Sequence, residues 1–122
     1  HVERQPNLRL EDADARAVLR ELTNALAHCH ERGVAHMDVK PENIMITHAD
    51  AGGGRGVLKL LDYGSTSLFE PRGDGFVEDR GGTEAYMGPE RLDGGSLLEA
   101  DSAAFDGDGR VRGAAADAYS LG

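Results

Sequence analysis

The chain has 122 residues, a formal net charge of −9, a single cysteine, no tryptophan, three Phe and three Tyr. That length suits one domain of ordinary size, whose core must rest on Leu, Val, Ile, Ala and Met. The composition excludes a disulfide framework and a multi-cysteine zinc site; no apolar run approaches the roughly 20 residues of a membrane span; and the acidic balance argues against nucleic-acid binding, which needs a basic face.

Residues 11–32 carry Leu19, Leu22, Leu26 and Cys29 at spacings of three and four, with Val18 and Ala25 beside them, and this predicts a helix. Glu11, Asp12 and Asp14 open it while His28, His30 and Arg32 close it, and both placements suit the helix dipole. Gly33 supplies a C-cap that tolerates positive φ. Cys29 reads as a small buried apolar residue. His28 and His30, two apart, point away from each other on a helix and read as a solvated helix end rather than a metal pair.

Residues 34–41 read as a loop, because Pro41 biases Lys40 away from helical angles. Residues 43–47 and 57–61 are short apolar runs, predicted to form two strands joined by a flexible turn. The glycine cluster in that turn, at 52–56, lacks the Lys-Ser/Thr ending and the following helix of a phosphate loop. From 62 to 90 little periodicity remains, which predicts one long loop. Residues 91–113 are irregular. Within them Asp106-Gly107-Asp108-Gly109-Arg110 begins like a calcium loop, but Arg110 and Val111 break the pattern. Residues 114–121 predict the start of a second helix. The acidic stretches read as solvated faces, with a preference for basic substrates as the lesser reading.

Chemistry concentrates in His36-Met37-Asp38-Val39-Lys40-Pro41-Glu42-Asn43, and in Asp62-Tyr63-Gly64 beyond the next strand. Taken alone, Asp38 with Lys40 reads as a plain surface ion pair; Asn43 and Asp62 in their contexts reverse that. Neighbouring strand ends would bring Asn43 and Asp62 together, and an oxygen from each suits Mg²⁺. Asp38 would face a substrate hydroxyl, and Lys40 would offer a point charge to a phosphoryl group. Such a set suits phosphoryl transfer, which needs positioning and charge stabilisation more than covalent work.

These residues resemble the protein kinase superfamily. HMDVKPEN is similar to the catalytic-loop signature H-R-D-L-x-x-x-N, DYG to D-F-G, and Gly88-Pro89-Glu90 to A-P-E. Gly82-Thr83-Glu84-Ala85-Tyr86-Met87-Gly88-Pro89-Glu90 resembles the substrate-docking segment of serine/threonine kinases, and Asp117-Ala118-Tyr119-Ser120-Leu121-Gly122 the start of the helix that follows. The helix end Ala27-His28-Cys29-His30 and the segment from Phe69 to Thr83 look most like calcium/calmodulin-regulated and plant-type calcium-dependent kinases.

The resemblance implies an α+β fold, mainly helical. Residues 1–122 would be the central part of a C-terminal lobe with a short β-hairpin, running from the catalytic loop through the metal-binding motif and activation segment into the following helix. It implies ATP- and Mg²⁺-dependent phosphorylation of protein Ser and Thr hydroxyls. Asp38 matches the catalytic Asp and Lys40 the lysine that marks serine/threonine enzymes. Thr83 matches the residue that bonds both, Asn43 and Asp62 the metal ligands, and Met45 the apolar residue under the adenine. His36 and Tyr63 match members of an internal packing spine, Asp117 a buried anchor of the catalytic loop, and Glu90 the acid that pairs with an Arg beyond this chain. Glu42 sits where basophilic kinases contact a substrate arginine. The ATP-gripping lobe and terminal helices are not among these residues, so the fragment alone is expected to be inactive. A cytoplasmic location is the default for a lone cysteine.

Met37 departs from the pattern, standing where the family has an Arg that receives an activation-loop phosphate. Tyr63 for Phe and Tyr119 for Trp are milder changes. Met37 and Tyr63 lean toward the alternative of a non-catalytic pseudokinase scaffold; the retained Asp38, Lys40, Asn43 and Asp62 lean against it. Methionine cannot pair with phosphate. Alanine substitution of Ser65, Thr66 and Ser67 in the intact protein is therefore expected to leave turnover nearly unchanged; a collapse in rate would refute this.

Overall fold

A computed structural model describes residues 12–47, 56–95 and 110–122. Helix α1 runs Asp12–His30 and ends at Gly33, whose φ of +71° and close approach to the Phe69 carbonyl leave no room for a side chain. Leu22 and Leu26 are buried, whereas Leu19 is 49% exposed although it shares their spacing. Each buried leucine stabilises the fold by roughly 1.5–3 kcal/mol. The predicted start at Glu11 lies outside the described residues.

Short antiparallel ladders follow. Strand β1 (Val34–Ala35) pairs with β4 (Ser67–Leu68), β2 (Ile44–Ile46) with β3 (Leu58–Leu60), and β5 (Phe76–Glu78) with β6 (Arg110–Arg112). Helix α2 spans Gly113–Leu121. The β2–β3 pair is the expected hairpin; its turn, residues 48–55, lies outside the described residues, as do 96–109 with most of the calcium-like stretch. The sequence led us to expect one hairpin and a loop over 62–90. That stretch instead contains β4, β5 and the 3₁₀ segment Glu84–Tyr86. A second 3₁₀ segment, Pro89–Gly95, starts at its end and runs into the stretch predicted to be irregular, and β1 occupies part of the predicted 34–41 loop. Strands of two or three residues are too short to show an alternating pattern.

Two apolar clusters form the core. One gathers Ala35, Met37, Val77, Val111 and Ala116, with Phe69 packed against it. The other gathers Leu22, Leu26, Val39 and Leu60, with Ile44, Leu58 and Leu121 packed against it. The segment after β1 passes between them. Met37 plugs into the first and Val39 into the second, so Asp38 is presented between two anchored neighbours and Lys40 directly follows the second. Gly113 lets α2 approach β1: a Cβ there would lie 2.5 Å from that of Ala35.

Asp117 fixes this segment. Fully buried, its carboxylate accepts hydrogen bonds from the backbone N–H of His36 (2.8 Å) and of Met37 (2.7 Å). The ring of His30 donates to the same carboxylate at 2.8 Å. His30 is thus a half-buried partner of α2, not the solvated helix end that its spacing suggested. Cys29, expected to be buried, is only partly so. Met37 adopts φ +69°, a left-handed conformation that strains a residue with a side chain by roughly 1–2 kcal/mol. Asp117→Ala orphans both N–H groups, and is expected to lower the unfolding free energy of the intact protein by about 3 kcal/mol or more in chemical denaturation. An unchanged midpoint would remove Asp117 as the anchor.

Candidate active site

The segment held by Asp117 and the two apolar plugs delivers Asp38 into a closed ring of polar contacts. The Thr83 hydroxyl donates to Asp38 Oδ1 at 2.7 Å and accepts from Lys40 Nζ at 2.6 Å. Lys40 Nζ lies 2.9 Å from Asp38 Oδ2. Asn43 Nδ2 donates to Asp38 Oδ2 at 3.1 Å and to the Asp38 carbonyl at 2.8 Å. Both carboxylate oxygens are thereby claimed by donors from three residues, one of them more than forty positions away in the chain.

Electrostatics follow from these contacts. Burial alone would raise the Asp38 pKa, but the hydrogen bonds from Thr83, Lys40 and Asn43 and the Lys40 charge bring it below its ordinary value. The Lys40 pKa is raised, chiefly by its hydrogen bond to Asp38, with Glu42 and Asp62 adding negative charge nearby. The pair is therefore ionised at neutral pH. His36, fully buried, accepts from the Asp38 N–H at Nδ1 (3.3 Å), which leaves its proton on Nε2 for the Leu61 carbonyl (3.0 Å). This ties the loop bearing Asp38 to the end of β3.

The β2–β3 register sets Asn43 and Asp62 at adjoining strand ends, and the Leu61 N–H donates to the Asn43 carbonyl at 2.7 Å. Asp62 has φ +61°, a conformation that Asp tolerates better than most residues, and its Oδ1 accepts from the Gly64 N–H at 3.2 Å. Its charge reaches Lys40, but it stands outside the ring of direct contacts. Met45 lies on β2 opposite Lys59 and is 41% exposed. Tyr63 packs against His36 with ring centroids 5.0 Å apart. Burial, and then the neighbouring Cys29 thiol, push its hydroxyl's pKa upward.

Among the described residues no three His, Cys, Asp or Glu side chains converge as a metal cage. The donor set nevertheless suits a hard cation. The Asn43 amide nitrogen is committed to Asp38, which leaves its carbonyl oxygen as the atom that could face a cation, and the exposed Asp62 carboxylate could offer a second. Mg²⁺ is commonly held by one or two such groups together with phosphate oxygens and water.

Of the hydroxyls at 65–67, Ser67 is buried and donates to the Glu78 carbonyl at 2.8 Å, and Thr66 Oγ1 is buried without a partner among the described residues. Sequence reasoning missed the partnership of His30 with Asp117 and a buried guanidinium at Arg91. Both depend on residues that only the fold brings together.

Thr83→Val removes the bridging hydroxyl at similar size. The Asp38 pKa is then expected to move upward, read by carbon-13 titration of its carboxyl group in the intact protein; an unmoved value would discount the hydroxyl's hold.

Comparison with known proteins agrees with the resemblance in the motifs. The family model for the protein kinase domain matches residues 2–122. The chain is 40% identical over 118 residues to CBL-interacting protein kinase 4 of Oryza sativa subsp. japonica, covering 96% of this chain and 22% of that protein. It is 42% identical over 85 residues to CBL-interacting serine/threonine-protein kinase 26 of Arabidopsis thaliana, covering 69% of this chain and 18% of that protein. With CBL-interacting serine/threonine-protein kinase 9 of Arabidopsis thaliana the identity is 37% over 115 residues, 93% of this chain and 21% of the relative. The chain thus spans about a fifth of the length of the relatives it matches. On these grounds it belongs to the eukaryotic protein kinase superfamily, among the serine/threonine kinases.

Proposed function

We propose that the intact protein transfers the γ-phosphoryl group of ATP to Ser and Thr hydroxyls of protein substrates, and that this chain is the central part of its C-terminal lobe. The observation that carries the reading is the ring of Asp38, Lys40 and Thr83, closed by contacts of 2.6–2.9 Å and braced by Asn43. A plain surface ion pair needs neither the threonine bridge nor the buried amide.

Asp38 would accept a hydrogen bond from the acceptor alcohol and orient its oxygen toward phosphorus. Its lowered pKa makes it a positioning base, taking the proton late, as the alcohol oxygen bonds to phosphorus. Lys40, between Asp38 and the Thr83 hydroxyl, would offer its charge to the phosphoryl oxygens. Thr83 would keep the two at the correct separation. Asn43 through its carbonyl oxygen and Asp62 through its carboxylate would hold Mg²⁺, which when bound neutralises charge on the phosphates. Met45 would offer its exposed side chain to the adenine. The exposed carboxylate of Glu42, whose charge is felt at Lys40, fits a preference for basic residues near the acceptor.

Asp38→Ala in the intact protein is expected to lower turnover by roughly 10²–10⁴-fold, the usual contribution of a positioned acid or base. An unchanged rate would remove Asp38 from the mechanism. An intact protein that binds ATP and partner but transfers no phosphate would favour the scaffold reading.

A further inference from the structure

Outside the ring, the most heavily bonded side chain described is that of Arg91, in the 3₁₀ segment that follows Gly88. It is 1% exposed. Its Nε donates to Asp79 Oδ2 and its Nη2 to Asp79 Oδ1, both at 2.9 Å, a two-pronged match of guanidinium to carboxylate. Nη2 also donates to the Gly81 carbonyl at 2.7 Å, and Nη1 to the Met37 carbonyl at 2.9 Å. One cation therefore joins three pieces of chain: its own segment, the 79–83 loop, and the catalytic loop at the residue before Asp38.

The 79–83 loop needs such a tie. Gly81 and Gly82 have φ of +89° and +154°, conformations that favour glycine and carry a high entropy of ordering. Gly82 lies against the Met37 carbonyl, where a Cβ would come within 2.6 Å of the oxygen. Thr83, which bridges Asp38 and Lys40, is the next residue. The Asp79 carboxylate also accepts from the Gly81 N–H at 3.0 Å, so the acid folds the loop back on itself before the guanidinium grips it. Burial alone would raise the Asp79 pKa, yet Arg91 and that N–H hold it below its ordinary value. The pair is thus charged at neutral pH. The side chain of Met37 is sealed in the apolar core and offers no charge. The cation beside this carbonyl comes from Arg91.

We propose that Asp79 and Arg91 are positioning residues: their partly buried ion pair is a built-in latch that seats the 79–83 loop on the Met37 carbonyl and so presents the Thr83 hydroxyl to Asp38 and Lys40. The catalytic part of this inference rests on the kinase reading of the site; the latch itself is a statement about order in the loop.

The test uses the intact protein with Asp79→Asn, Arg91→Met and the double variant, followed by amide hydrogen exchange and by kcat and KM. Arg91→Met leaves an acid without its cation, and is expected to speed exchange at 80–83 on the order of a hundredfold. Asp79→Asn, which keeps the shape and loses the charge, is expected to speed it about tenfold. The double variant goes no further than Arg91→Met, because the two act as a unit. Exchange in α1 and in β2–β3 is unchanged, and kcat falls while the KM for ATP holds. Unchanged exchange at 80–83 in Asp79→Asn overturns the latch, as does simple addition of the two single effects or a loss of protection spread evenly over the fold. Should Arg91→Met fail to fold, Asp79→Asn decides alone by the same local criterion. A protein that shows the expected exchange yet transfers no phosphate fails the kinase reading, not the latch.

Discussion

The arrangement depends on one buried carboxylate. Asp117 removes a negative charge from water, and such a charge must be met by donors. It finds them in two consecutive backbone N–H groups, His36 and Met37, and in the His30 ring. Two successive amides face this one carboxylate, and immediately after them the left-handed turn at Met37 bends the chain toward Asp38. Strain at that residue is offset by the bonds on both its faces, the Asp117 oxygen at its N–H and the Arg91 guanidinium at its carbonyl. Local strain of this kind persists where surrounding structure overdetermines it.

From that bend the rest is geometry. Alternate residues sink into separate apolar clusters, Met37 into one and Val39 into the other, and this fixes the direction of the intervening Asp38. The acids at 38 and 79 share a pattern. Burial pushes each pKa up, and hydrogen bonds with a neighbouring cation pull it down further. Each therefore contributes stability above the ordinary carboxylate pKa, and that contribution fades as pH falls through the lower folded value. Around neutrality both ion pairs are fully formed.

Much of this was legible in the sequence where signals are local. The spacing of Leu22 and Leu26 marked α1, Gly33 marked its end, and the spacing of Asp38, Lys40 and Asn43 marked the residues that the fold gathers into the polar ring. Asp62 was placed correctly at a strand end, although it stands beside the ring rather than within it. What escaped was set by partners remote in the chain. His30 reads as solvated until Asp117, 87 positions away, is known to face it. Leu19 repeats the apolar period, yet the helix needs to bury only the face opposite β1 and β3, and Leu19 remains exposed. Asp79 and Arg91 sit in stretches with no period at all, where isolated charges ordinarily belong to solvent. Two glycines and an acid shortly before an arginine were the available hint, and neither spacing nor composition distinguishes that from a surface loop.

Gly113 carries a consequence out of proportion to its size. Helix α2 rests on β1 through a hydrogen atom, with the Ala35 methyl group directly opposite. Asp117 stands one helical turn further along, so the spacing of helix and strand sets how deeply its oxygens reach toward the amides of His36 and Met37. A single added carbon at 113 would act as a wedge. It would carry no charge and touch no reacting atom, yet the displacement would be felt at Asp38 through the backbone itself.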